Sequence, residues 1–333
     1  MSTPRGVTFA SFQALGPDKA LTAARWASEL GFESFWTAET TGPEAFSTLA
    51  AVGAASGGLD LGTGVLALQL RDPSLTAMGA ATVAALHPDQ DVLVGIGISS
   101  PVVTTQWHGV PYGDRPLGRV REFVEVLRAC LSGEAVNHDG EHYHLRRFRL
   151  GVRLGERRPR IVIGALNERM LALAGEVADG VLLNYLPASA VPWCVEQVRA
   201  GEAAAGRAAG ACTVYAYVHV GVCERSDGID AARKDLFSYV VVDAYANAFR
   251  RAGFGDEVDA VRAAHARKDR DGALAAVSDA MVDAIDIMGN AHEVGAAVEA
   301  YESAGVDHPV IMPMPWGPDR MGVVRATMEA TAP

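Results

Sequence analysis

The strongest constraint on this chain is a repeated alternation. Short apolar runs give way to amphipathic stretches, eight times over. The runs lie at 6–12 (GVTFASF), 34–39 (SFWTAE), from Asp60 through LGTGVLAL, and at 91–99 (DVLVGIGIS). They recur at 160–165 (RIVIGA), 179–184 (DGVLLN), 212–223 (CTVYAYVHVGVC) and 308–314 (HPVIMPM). Helical patterns follow them at 17–30, 43–55, 73–86, 116–131, 167–178, 188–205, 291–305 and 318–330. Nearly continuous apolar strands separated by helices predict a parallel sheet covered by helices. Eight units in one chain predict an α/β fold of the closed (β/α)8 TIM-barrel type. The rival, a doubly wound two-domain enzyme, wants G-x-G-x-x-G after its first strand. SFQALGPD stands there instead.

Two segments exceed this plan. Residues 132–159, after the fourth strand, read as an irregular arginine-rich insertion, and 224–289, after the seventh, as a mostly helical one. The alternation resumes after each, so we expect a single domain over 1–333. Half the residues are hydrophobic, at 49%, enough for a large core. A net charge of -11 argues against nucleic-acid partners. The four cysteines form no C-x-x-C pair and no metal-ligand spacing, so we expect reduced thiols, no metal site and a cytoplasmic location. MSTPRGVTFASF lacks the charged and apolar regions of a signal peptide, and no apolar run is long enough to cross a membrane.

The active site of such a barrel sits at the C-terminal ends of its strands. Glu39 and Tyr185 apart, the residues there are small and neutral: Thr37 and Thr40; Thr63, Gly64 and Val65; Gly95, Gly97, Ser99 and Ser100; and Asn184. No nucleophile elbow, H-E-x-x-H motif or hydrolytic carboxylate pair appears. Such a rim suits a flat ring pressed against backbone, a cofactor that brings its own reactivity. The segment Gly164, Ala165, Leu166, Asn167 runs from strand straight into helix. It reads either as a phosphate site at a helix N-terminus or as a compact turn with Asn167 as N-cap.

Taken together, GFESFWTAE (31–39), LGTGVLALQLRDP (61–73), VLVGIGISS (92–100), RPLGRVREFVEVLR (115–128) and IVIGALNERMLALAGEVADGVLLN (161–184) resemble the luciferase-like monooxygenase superfamily. The resemblance covers nearly the whole chain and points to the branch that uses the deazaflavin coenzyme F420, with FMN as the alternative cofactor. It implies a cis peptide bond at Gly64-Val65, in a bulge that supports the ring, with the glycines making room for it. It implies cofactor contacts from Thr40, Thr63, Gly64, Val65, Gly97, Ser99, Ser100, Gly164, Ala165, Leu166 and Asn167. The arginines of 146–160 would attract the acidic tail of F420.

The reaction implied is hydride transfer to a small organic or peptide-like acceptor, such as an activated C=C or C=N bond in secondary metabolism. Many relatives place an acid followed by histidine at the second strand's end; here the pair is Glu39-Thr40. Glu39 and His108 are therefore the candidate catalytic residues, Glu39 also reading as a structural hydrogen-bond acceptor. Trp36, Trp107, Tyr112, Tyr185 and Trp316 are candidate pocket walls, and Tyr239 and Tyr245 a candidate cap. The competing functions are an FMN-dependent monooxygenase using O2, a non-catalytic flavin-binding paralogue, and a barrel lyase or isomerase. The alanine-rich 43–58 and 73–86 helices suit a homodimer.

Overall fold

In the strands, alternate residues face opposite sides, and both sides are buried. Val7, Phe35, Leu61, Val94, Ile96, Ile161, Ile163, Val181, Val214, Val218 and Ile311 belong to the core between sheet and helices. Their neighbours Trp36, Leu93, Val162, Leu182, Tyr215, Tyr217, Val310 and Met312 form a second cluster inside the sheet. Two apolar faces require cover on both, and closing the sheet on itself provides it. The computed structural model, which describes residues 3–333, has that form.

The strands are β1 (Gly6–Thr8), β2 (Ser34–Thr37), β3 (Asp60–Thr63), β4 (Leu66–Ala67), β5 (Val92–Gly97) and β6 (Val136–Asp139). They continue as β7 (His144–Phe148), β8 (Arg160–Gly164), β9 (Gly180–Leu183), β10 (Thr213–Val222), β11 (Asp286–Gly289) and β12 (His308–Pro313). The parallel order β12-β1-β2-β3-β5-β8-β9-β10 closes where β10 pairs with β12. This is the expected eight-stranded barrel.

Local chemistry sets the helix boundaries. The 43–55 helix begins at Ala45, because the Glu44 side chain caps it by accepting from Phe46 and Ser47 N–H. Asp72 caps Pro73–Leu86, and Asn290 and Glu293 form a capping box for Ala291–Ser303. The first strand is shorter than expected: Ala10–Leu15 is a 3-10 helix.

Both insertions are more ordered than the sequence suggests. The first contains the antiparallel pair β6–β7. The second carries five helices between Arg225 and Ile285, then ends in β11, which pairs with the outer half of β10. No helix among the described residues is long and apolar enough to cross a membrane.

Candidate active site at the barrel mouth

The third strand breaks at Gly64 and resumes as β4 against β5. The Gly64-Val65 peptide is cis, as the resemblance implies. The bulge sends Val65 across its neighbours. A Cβ on Gly97 would lie 2.8 Å from Val65, one on Gly164 3.2 Å, and one on Gly95 only 1.8 Å from the Thr63 carbonyl. These glycines form the nest in which the Val65 side chain sits, half-buried.

Glycines 62 and 64 have another cause. A Cβ on Gly62 would lie 2.4 Å from the Trp36 ring, and one on Gly64 1.9 Å from the Tyr217 hydroxyl. That hydroxyl donates to the Gly64 carbonyl at 2.8 Å. The expectation that these glycines make room for a ring is thus corrected. Protein side chains inside the barrel crowd their α-carbons, and the bulge, with Val65, is the surface turned to the mouth. Thr63 is fully buried, and its hydroxyl donates to the Gly95 carbonyl at 2.9 Å.

Glu39 is held from two sides. Arg71 grips it through Nε and Nη2, both at 3.0 Å, and Ala45 N–H donates to it at 3.2 Å. Arg71 also pairs with Glu44 and lies 5.3 Å over the Phe46 ring. These contacts fit the structural acceptor reading of Glu39. His108 is exposed and donates from Nε2 to the Thr40 carbonyl at 2.7 Å, which brings those two candidates together. Ser99 N–H donates to Gln69 Oε1, and the Ser100 hydroxyl accepts from Val103 N–H.

At the end of β8, Glu168–Val177 starts at Asn167 without a side-chain cap. The Asn167 amide instead donates to the Ala244 carbonyl of the second insertion, at 3.0 Å. Asn167 is the N-cap residue, but its side chain caps nothing. Met170 N–H bonds to the Asn167 carbonyl, while the Glu168 and Arg169 N–H groups have no partner among the described residues and can meet an anion. Arg251, which the sequence reading missed, donates to the Leu166 carbonyl at 2.6 Å and stacks on Trp193. A cation therefore stands beside the same turn.

Among the described residues, Gln13 Oε1, Thr37 Oγ1 and Gln69 Nε2 are buried without hydrogen-bond partners. All three follow the C-terminal ends of β1, β2 and β3 or close them. Each unpaired group costs about 1–3 kcal/mol unless a ligand satisfies it. Bulge, uncapped helix and unpaired polar atoms together fit a flat polar ring carrying an anionic group.

The arginine run does not share this mouth. Arg157 bonds to Asp89 and Asp91 just before β5, and Arg160 bonds to Thr213 at the start of β10. Both lie at the opposite, N-terminal end of the strands, so the expected role for 146–160 is corrected. Of the aromatic candidates, Trp36 is buried within the barrel, Trp107 is 56% exposed, and Tyr185, just past the end of β9, clusters with Tyr239 and Tyr245 in tilted and edge-to-face contacts.

The model of the family described as luciferase-like monooxygenase matches residues 5–308. The chain belongs to this family. The luciferase-like chain is 31% identical, over 300 residues, to the 5,10-methylenetetrahydromethanopterin reductase of Archaeoglobus fulgidus, covering 88% of this chain and 89% of that one. It is 31% identical over 196 residues to the F420-dependent glucose-6-phosphate dehydrogenase of Nakamurella multipartita, or 54% of this chain and 57% of that protein. Among solved structures, the coenzyme F420 dependent tetrahydromethanopterin reductase of Methanopyrus kandleri superposes with a TM-score of 0.81. The match covers 99% of this chain and 98% of that chain; at 22% identity it speaks to the fold alone. These relatives are oxidoreductases, and this luciferase-like protein is an oxidoreductase.

Proposed function

We propose that the protein is a coenzyme F420-dependent reductase acting on a small organic or peptide-like acceptor with an activated C=C or C=N bond. The observation that carries this is the Val65 bulge, seated in Gly95, Gly97 and Gly164, beside an uncapped helix N-terminus. Two of the relatives described above carry F420 in their names, which supports this coenzyme over FMN.

When bound, the reduced deazaflavin supplies a hydride. The chain does the rest. Val65 and the bulge back the ring. Ser99 and Ser100 flank it, and Gln69 and Thr37 offer it unpaired polar atoms. Gly164, Ala165, Leu166 and Asn167, with Arg251 beside them, hold the phosphate. Tyr185, Tyr239 and Tyr245 cover the acceptor.

The partners we propose are this acceptor and a second copy of the chain, with neither nucleic acid nor membrane. Leu75, Met78 and Leu86 form an exposed apolar row on Pro73–Leu86, suited to a homodimer. The four free cysteines suit a reducing cytoplasm.

The test is anaerobic oxidation of reduced F420 with a panel of enones and cyclic imines. Oxidation that depends on the acceptor supports the reading. Product formation only with reduced FMN and O2 would replace it with a monooxygenase. Tight coenzyme binding without turnover across the panel would favour a binding paralogue.

A further inference from the structure

The C-terminal ends of β9 and β10 carry a buried polar set that the reading above leaves without a role. His219 is 1% exposed and Asp286 fully buried. Their side chains meet at 3.1 Å between Nδ1 and Oδ1. β11 delivers Asp286 to this point, paired in register with His219. On its other side, His219 Nε2 lies 2.8 Å from Asn184 Oδ1. The Tyr185 backbone N–H donates to the same oxygen at 3.0 Å.

That backbone donor identifies the Asn184 atom as the carboxamide oxygen, since an NH2 group accepts nothing. His219 Nε2 must then carry a proton and donate it. Nδ1 either donates to an ionised Asp286 or accepts from a protonated one. Both arrangements place one proton between the two residues and leave the pair neutral. Burial pushes the Asp286 carboxyl up, and the bond to His219 pulls it back.

Asn184 is thereby locked. Its oxygen is committed twice, so its NH2 is the only end free for a ligand. The residue is half-buried at the mouth, beside the Tyr245 side chain. Tyr185 follows with φ at 50°, a left-handed conformation uncommon for a bulky residue, and its hydroxyl donates to Asp235 of the second insertion.

We infer that Asn184 is a specificity-determining hydrogen-bond donor to the acceptor molecule, and that His219 and Asp286 are positioning residues that aim it. This rests on the reductase reading and narrows its substrate class. The donor suits a carbonyl oxygen or imine-type nitrogen conjugated with the bond to be reduced. A preorganised N–H there stabilises negative charge as it develops. For an enone, the hydride from reduced F420 forms the new C–H bond at the β-carbon. The C=C pair shifts towards the oxygen as an enolate, which takes a proton from water at the α-carbon. The enone is reduced and the coenzyme oxidised.

The experiment measures N184A, H219F, H219Q and D286N against wild type in three ways: F420 affinity, KM and kcat for enones and cyclic imines, and side-chain amide NMR of the apoprotein. We expect F420 affinity within about twofold throughout, because Asn184 serves the acceptor. We expect KM to rise about tenfold or more in N184A and H219F, with the double variant no worse than either single. H219Q, which keeps an N–H donor, should recover part of the loss even where H219F folds poorly. The Asn184 NH2 signals should be dispersed and protected in wild type and collapse in H219F.

Additive KM effects, or unchanged amide signals in H219F, overturn the positioning role. A wild type that binds F420 but reduces neither class overturns the substrate class and leaves the coenzyme reading intact. A wild type that binds no F420 overturns the coenzyme reading, and the amide signals then decide the positioning alone.

Discussion

The barrel floor makes a quantitative prediction about pH. His308 opens β12, with Nε2 2.8 Å from Ser34 Oγ. That hydroxyl accepts from Trp36 Nε1 at 2.8 Å and shares its other hydrogen bond with the His308 imidazole. Burial first, then the nearby Arg160 charge, lowers the His308 pKa from 6.5 to about 4. The unfolded chain takes up a proton that the folded protein refuses. Stability from this group is therefore complete above about pH 6.5, falls as pH drops towards 4, and is flat below. The gap, 6.5 minus about 4, is worth about 3 kcal/mol in full. About 2 kcal/mol of it disappears between pH 7 and pH 5. H308Q keeps a hydrogen-bond partner for Ser34 without titrating. Guanidinium unfolding of both proteins at the two pH values should show wild type losing about 2 kcal/mol more than H308Q. Equal losses would mean that the floor does not hold a neutral imidazole.

The remaining predictions address the mouth and the surface. Y217F strips the Gly64 carbonyl of its buried donor and should cost about 1–3 kcal/mol of stability, with weaker F420 binding; unchanged denaturation would remove Tyr217 as the support of the bulge. E39Q breaks the two-point grip of Arg71 on a largely shielded carboxylate. It should cost about 1–2 kcal/mol, between the values for exposed and buried pairs, while turnover persists. Lost turnover at full stability would restore Glu39 as a proton donor. L75E with M78E places charge on the apolar row of Pro73–Leu86, and light scattering should then report a monomer. A dimer that survives would lie on another face.

The barrel was legible because both faces of each strand are buried. A short apolar run then marks each strand, and eight marks imply closure. The glycines were legible as points of close approach, but their neighbours were not. Tyr217 reaches Gly64 across 153 positions of sequence, and no local pattern says which distant side chain will arrive. The arginine run misled for a related reason: charge density along the chain does not tell which end of a barrel it will occupy. β11 was missed because four residues, DIMG, directly follow the helix Asp279–Ile285 and pair with one strand only. With it went Asp286. His219 did carry a signal. In VYAYVHV, alternate positions place Tyr215, Tyr217 and His219 on one face, and a polar stripe inside a barrel needs partners. Arg251 had no such signal, since it contacts Leu166 only through the packing of the second insertion on the barrel.

The central claim is that the Val65 bulge and the uncapped helix at Glu168 form a deazaflavin site. Parallel titration of the purified protein with F420 and FMN, followed by coenzyme fluorescence, tests it most directly. The account predicts saturable, tight binding of F420 and much weaker binding of FMN, with F420 affinity reduced in Y217F. Tight binding of FMN alone, or of neither coenzyme, would contradict it.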